Sequence, residues 1–230
     1  MLSNFDVSNI GQSVMILLQQ LIIVLIALTF HETAHGWMAN RLGDTTARDR
    51  GRLSLDPRKH LDPIGFICML LFGFGWANPV PVDARKFKNP KLGMALTALA
   101  GPVANLLLAF MILLPLEIMA ALLDNGVIVI GSQFGVNLVY GIIDFVSAFH
   151  YSNITLALFN LFPVPPLDGS RVLYAVLPDR WYFGVMKYER VISIVILFLL
   201  VLDVFNSPLA WLSSKISGGM LWLWQLLPWF

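Results

Sequence analysis

Three ionisable side chains fall within five residues of an otherwise apolar stretch, His31-Glu32-Thr33-Ala34-His35. On a helix, positions four apart project from one face about a turn from each other, so both imidazoles can reach a single Zn²⁺. Glu32 lies beside them and can serve as general base toward a water at the metal; zinc lowers the pKa of such a water to about 7 and polarises the carbonyl under attack. In hydrocarbon each of these side chains is costly unless it faces a cavity or a partner, which argues against an H-E-x-x-H pattern arising by chance. Two histidines do not complete a catalytic zinc site, which takes three protein ligands and one open position. The candidates for the third are Asp144, His150, Asp168 and, in a polar insert, His60 and Asp62.

The elements that must bring these residues together are membrane helices. Of the 230 residues 57% are hydrophobic and 13% charged, and the mean hydropathy is +0.74, which excludes an ordinary soluble enzyme. A formal net charge of +1 leaves no basic surplus for nucleic acid, and the lone Cys68 excludes a disulfide scaffold. Apolar runs over 14–38, 94–123, 136–162 and 191–205 predict about four crossings, the first a retained span and not a cleaved leader. A shorter run, 64–77, carries Gly65, Gly73 and Gly75 and reads as a re-entrant hairpin. The final stretch, 220–230, holds Trp222, Trp224 and Trp229 and suits a helix at headgroup level. Residues 48–82 form the sizeable polar insert, with turn residues and short strands expected. The fold class is thus an all-α polytopic membrane protein: a three-helix catalytic core over about 14–175, a C-terminal span and interfacial helix over about 188–230, and a hairpin or short β element, all in one domain, 1–230.

Charge sets the orientation. Of fifteen Lys and Arg, six lie between Arg41 and Lys59, four between Arg85 and Lys91 and four between Arg171 and Arg190, whereas 124–133 has none. By the positive-inside rule those three loops are cytoplasmic, and the 64–77 hairpin enters and leaves by that face. His31 lies roughly 26 Å along its span at about 1.5 Å per residue, so the metal belongs toward the cytoplasmic side of a multi-pass cell-membrane protein. Asp144 starts its span near the outer face and is too far away. His150 is nearer mid-span, where a packed, hydrogen-bonded histidine is the plainer reading. Asp168 follows Pro163, Pro165 and Pro166 at the cytoplasmic end of the third long span. Prolines so spaced cannot continue a helix, and broken backbone at that depth lines a cavity or packs in protein, where a carboxylate can meet the two histidines. A turn residue before Gly169 is the competing reading.

The set His31-Glu32-x-x-His35, Gly101-Pro102-x-x-Asn105 and Asn160-x-x-Pro163-x-Pro165-Pro166-Leu167-Asp168-Gly169 resembles the site-2 protease family of intramembrane zinc metalloproteases. The resemblance covers roughly residues 15 to 175. It implies a core of three transmembrane helices, one Zn²⁺ per chain held by His31, His35 and Asp168, and water activated by Glu32. The stretch 76–82, with Asn78, resembles the family segment near which substrate lies, and Asn105 and Asn160 match polar positions close to the family's active site. There they would hold substrate backbone or a developing oxyanion, or serve as helix-packing amides. The chain has no room for the PDZ or CBS domains of many relatives.

The function implied is hydrolysis of a peptide bond within or near the transmembrane helix of a single-span membrane protein, in the lipid bilayer, with no nucleic-acid partner. Such a substrate must unwind and would dock as an extended strand along 64–82. An ion or proton transporter using the same buried groups, or an inactive homologue that binds membrane proteins, are the alternatives.

Overall fold

The computed structural model describes residues 9–72, 75–127, 130–178, 187–202 and 204–226; Gly73, Trp229 and part of the 171–190 basic stretch lie outside them. Three helical segments among the described residues are long and apolar enough to cross a membrane. They are α1 (Ile10–Arg41), α4 (Pro90–Met111) continued after a break by α5 (Leu113–Asp124), and α6 (Gln133–Asn160). Each start is chemically marked. Asn9, Asn89 and Ser132 accept hydrogen bonds from the backbone N–H groups of Gln12, Leu92 and Gly135, and Pro90 occupies the first turn of α4, where a missing N–H costs nothing. The span expected over 94–123 starts earlier, at Pro90, and is interrupted at Ile112. Pro115 accounts for the interruption, since it has no N–H to offer the carbonyl of Met111.

Helix α4 is the hub, packing against α1, α6 and α7 (Gly169–Val176). Its buried face is small, with Gly93, Ala95, Ala98, Gly101 and Ala109, so neighbouring backbones approach closely. On the outside, Met15, Leu107, Phe134 and Leu138 are more than half exposed. Apolar surface of that kind on long helices is the signature of a multi-pass membrane protein.

The polar insert departs from expectation. No strand forms there among the described residues; the insert holds α2 (Thr46–Asp49), single 3₁₀ turns at Pro57–Lys59 and Ala84–Lys86, and one antiparallel bridge, Leu61 to Ala77. Pro57, Pro63, Pro79 and Pro81 have no N–H for a ladder. Side chains tie the segment instead: Arg52 donates to the carbonyls of Asn78 and Pro79, and Asp44 accepts from the N–H groups of Thr46 and Asp83. The bridge closes the base of a loop containing α3 (Pro63–Phe72), and the Asn78 N–H donates to the His60 carbonyl at 2.7 Å. A Cβ on Gly65 would lie 2.2 Å from the Trp76 carbonyl oxygen, so the two arms touch backbone to backbone.

Beyond α7, the fourth apolar run forms α8 (Glu189–Val201), 13 residues long and shorter than the three spanning candidates. Trp222 and Trp224 belong to a longer helix than expected, α9 (Asn206–Gln225), which packs on α5 and α6. Trp222 on it is exposed, while Trp224 is buried and stacks on Phe110.

Candidate metal centre

Helix α1 presents His31, Glu32 and His35 together, all buried, with possible ligand atoms within 4.8 Å of one another. The imidazoles meet edge to face with ring centroids 4.6 Å apart. Opposite them runs the face of α4 carrying Thr97, Gly101 and Asn105, spaced by one helical turn. A Cβ on Gly101 would lie 2.5 Å from Cε1 and Nε2 of His35 and 2.7 Å from Cε1 of His31. Only a hydrogen fits there, which is why both rings can lie against the α4 backbone.

The two rings are held from behind. His35 Nδ1 lies 2.7 Å from the Thr97 carbonyl, and His31 Nδ1 lies 2.6 Å from Asn105 Oδ1. Both partners are acceptors, so each Nδ1 carries a proton, the arrangement in which Nε2 is the nitrogen that can offer its lone pair to a metal.

Asp168 comes from the far end of α6. That helix ends at Asn160, the proline-broken turn follows, and α7 begins at Gly169. A Cβ on Gly169 would lie 2.2 Å from the Leu161 carbonyl oxygen, so the turn folds back onto the helix end it has just left. Asp168 occupies the N-cap position of α7 but its carboxylate caps nothing. It points instead at the histidines: one oxygen, Oδ2, lies 3.0 Å from His31 Nε2 and 3.3 Å from His35 Nε2. Two ring nitrogens and a carboxylate oxygen therefore converge, the donor set of a three-ligand zinc site. Tetrahedral zinc with bonds of about 2.0–2.1 Å sets its ligand atoms about 3.3 Å apart, so these residues fit the ion. The Asp168 side chain is 23% exposed, against 4% and 11% for His31 and His35.

Glu32 is fixed separately. The Val80 N–H donates to Glu32 Oε2 at 3.0 Å. Of the asparagines, Asn78 is exposed on the same 76–82 segment. Asn160 donates to the carbonyl of Leu156 in its own helix. Asn105 is fully buried, and its amide is occupied by His31, the Ala27 carbonyl and Asn153. The other third-ligand candidates stand elsewhere: Asp144 is exposed, Asp62 accepts from the Gly65 N–H, His60 bonds the Ser54 carbonyl, and His150 bonds the Ala109 carbonyl and Ser217.

Sequence reasoning passed over the part three residues play at the centre, although Val80 stood beside Asn78 as a candidate for substrate docking. Thr97 and Val80 act through backbone groups, which no residue type announces. Asn153 did carry a signal, an amide inside an apolar span that is costly unless satisfied.

Comparison with known proteins places these residues in context. The profile of peptidase family M50 matches residues 119–202, a stretch that contains Asp168 but not His31 or His35. A relative from Bacillus subtilis, "Putative zinc metalloprotease YwhC", is 43% identical over 157 residues, 68% of each chain. The similarly named Rip2 of Mycobacterium tuberculosis is 27% identical over 88% of this chain and 71% of its own length. One from Methanocaldococcus jannaschii is 32% identical over 70% of this chain and 72% of its own. No solved structure gives a significant match.

Proposed function

We propose, from the premise that this chain belongs to peptidase family M50, the site-2 protease family, and is a zinc metalloprotease, that it hydrolyses a peptide bond within or near the transmembrane helix of a membrane-protein substrate. The observation that carries the reading is the single Asp168 oxygen within 3.0 and 3.3 Å of two Nε2 atoms whose rings each meet an acceptor at Nδ1. His31, His35 and Asp168 hold the zinc ion in this reading. Zinc bound there supplies a water acidic enough to ionise near neutral pH and a Lewis acid for the scissile carbonyl.

The residues of the chain do the rest. Glu32, with one oxygen anchored on Val80, takes the proton of the attacking water with its other oxygen and returns it to the departing amine. The exposed edge at Asn78 receives the unwound substrate as an extended segment, with Asn160 as a second polar contact. Asn105 supports His31 and does not touch substrate, because it is fully buried and both its N–H donors are spent. The positive-inside pattern puts the hairpin and the partly exposed Asp168 on the cytoplasmic side, α8 completes about four crossings, and water enters there without crossing lipid.

The test is metal analysis of purified protein together with co-expression of single-span substrates, wild type against Glu32→Gln. Zinc retained with cleavage reduced by about 10²-fold or more supports the reading. Unchanged processing in the variant overturns it. Replacing Asn78 should impair a helical substrate more than a pre-unwound one, and equal loss on both counts against docking at that edge.

A further inference from the structure

We infer that Asn153, a residue outside the H-E-x-x-H, G-P-x-x-N and N-x-x-P-x-P-P-L-D-G motifs, is a positioning residue for the metal centre, setting the tautomer of His31 through Asn105. The inference rests on the reading of His31 as a zinc ligand. It starts from a chain of hydrogen bonds that crosses all three long helices. Asn153 on α6 donates from Nδ2 to the Phe149 carbonyl at 2.9 Å. Its Oδ1 accepts from Asn105 Nδ2 on α4 at 2.8 Å, and the same Nδ2 donates to the Ala27 carbonyl on α1 at 3.1 Å. Asn105 Oδ1 then meets His31 Nδ1 at 2.6 Å. Asn105 and Asn153 are both at 0% exposure, so water replaces none of these partners.

The direction of the chain is forced from its backbone ends. The Phe149 carbonyl only accepts, so Asn153 must turn its NH₂ toward it and its oxygen away. That oxygen also only accepts, so Asn105 must offer its NH₂, an orientation the Ala27 carbonyl reinforces. The Asn105 oxygen is thereby left facing His31 Nδ1, which must carry the ring proton. Nε2, on the side of Asp168, is then the nitrogen that can offer its lone pair to a metal. A flipped Asn105 would point NH₂ at Nδ1, favour the proton on Nε2, and put a hydrogen where a metal ion must bind. His35 needs no such relay, because its Nδ1 partner is a backbone carbonyl that cannot flip. The two histidines are thus secured differently, and only His31 depends on how side-chain amides are turned.

Loss of a partner behind a metal-bound histidine typically weakens metal binding by about 10–100-fold. The experiment measures zinc affinity by chelator competition, and thermal stability, on detergent-purified full-length protein. It compares wild type, Asn153→Leu, Asn105→Leu, the double variant, and His150→Leu, which removes a buried polar group from the same helix one turn away. The expected result is about tenfold weaker zinc binding for Asn153→Leu, a larger loss for Asn105→Leu, and a double variant no worse than Asn105→Leu alone. His150→Leu should lower thermal stability with zinc affinity unchanged. Wild-type affinity in Asn153→Leu overturns the inference while leaving the protease reading intact. So does additivity in the double variant, or an equal loss of affinity in His150→Leu. Wild-type protein that binds no zinc overturns both this inference and the reading beneath it. Should Asn153→Leu fail to fold, Asn153→Ala removes the acceptor toward Asn105 without added bulk, and zinc affinity equal to wild type in that variant is the overturning result; Asn153→Asp, which keeps an acceptor toward Asn105, should hold zinc better than Asn153→Ala.

Discussion

The fold buries histidines at two levels of the bundle, and they end up doing different work. His31 and His35 each spend one ring nitrogen on an acceptor behind them and turn the other toward a carboxylate. His150 spends both on neutral groups, Nδ1 on the Ala109 carbonyl at 2.8 Å and Nε2 on the Ser217 hydroxyl at 2.9 Å, and so ties α4, α6 and α9 together. Burial and a satisfied Nδ1 are common to all three rings. What separates a candidate ligand from a strut is the partner of the second nitrogen, together with the room that Gly101 leaves for two rings against one backbone.

The strongest way to break this comparison is to remove one ring from each group. His35→Ala should take the protein from one zinc per chain to nearly none and reduce cleavage by about a thousandfold, while His150→Ala should leave zinc content at one. Mass spectrometry of metal per chain decides it. Zinc lost equally from both variants would erase the distinction.

Next in size are the glycines that permit the close approach. Gly101→Ala puts a methyl 2.5 Å from His35, and Gly169→Ala puts one 2.2 Å from the Leu161 carbonyl oxygen, where backbone must give way. Overpacking of this kind costs about 1–3 kcal/mol, here taken from ligand geometry. We expect zinc affinity to fall by about tenfold to a hundredfold in each, by chelator competition. Affinity unchanged in Gly169→Ala would mean that Asp168 is positioned by something other than this fold-back. Smaller again is Ser217→Ala, which leaves His150 Nε2 unsatisfied and should cost about 1–3 kcal/mol of stability in a thermal melt, with cleavage at wild-type rate in the cold.

The sequence made the local half of the site legible and only part of the non-local half. His31, Glu32 and His35 can be read because a helix turns a spacing of four into a shared face, and a length of apolar chain announces a span without tertiary information. Asp168, 137 residues from His31, could be placed only by sidedness and by prolines that end α6 near the right face. Asn105 was legible as a polar residue near the site, but not as one spent on His31, because that depends on which way an amide is turned by Asn153. The carbonyl of Thr97 and the N–H of Val80 were not legible at all, since every residue type carries a carbonyl and nearly every one an N–H. Strands anticipated over 48–82 gave way to turns because alternation and turn residues do not reveal that prolines have removed the ladder donors.

The smallest effect should come from a clamp that belongs to neither histidine group. Asp44, fully buried just past α1, accepts from the Thr46 hydroxyl and N–H, from the Asp83 N–H at 2.6 Å, and pairs with Lys86. Burial pushes its carboxyl up, but the Thr46 hydroxyl, the two N–H groups and Lys86 pull harder, so it stays below the usual carboxylate range. A lowered folded-state pKa means that the clamp is complete above the ordinary value of 3.8 and is lost as pH falls through its own lower value. Between Asp44 and Glu32 the stretch from Val80 to Asp83 is pinned at both ends to α1 and the loop that follows it. Asp44→Asn at neutral pH should reproduce the acid form, loosening that stretch by about 1–2 kcal/mol. Trypsin should then nick at Arg85, Lys86 or Lys88 faster than in wild type, and cleavage of substrate should fall several-fold, roughly the factor that about 1 kcal/mol supplies. Zinc affinity should not move, because no ligand is touched; if it falls with the nicking, the Val80 segment supports the metal itself and not only the base.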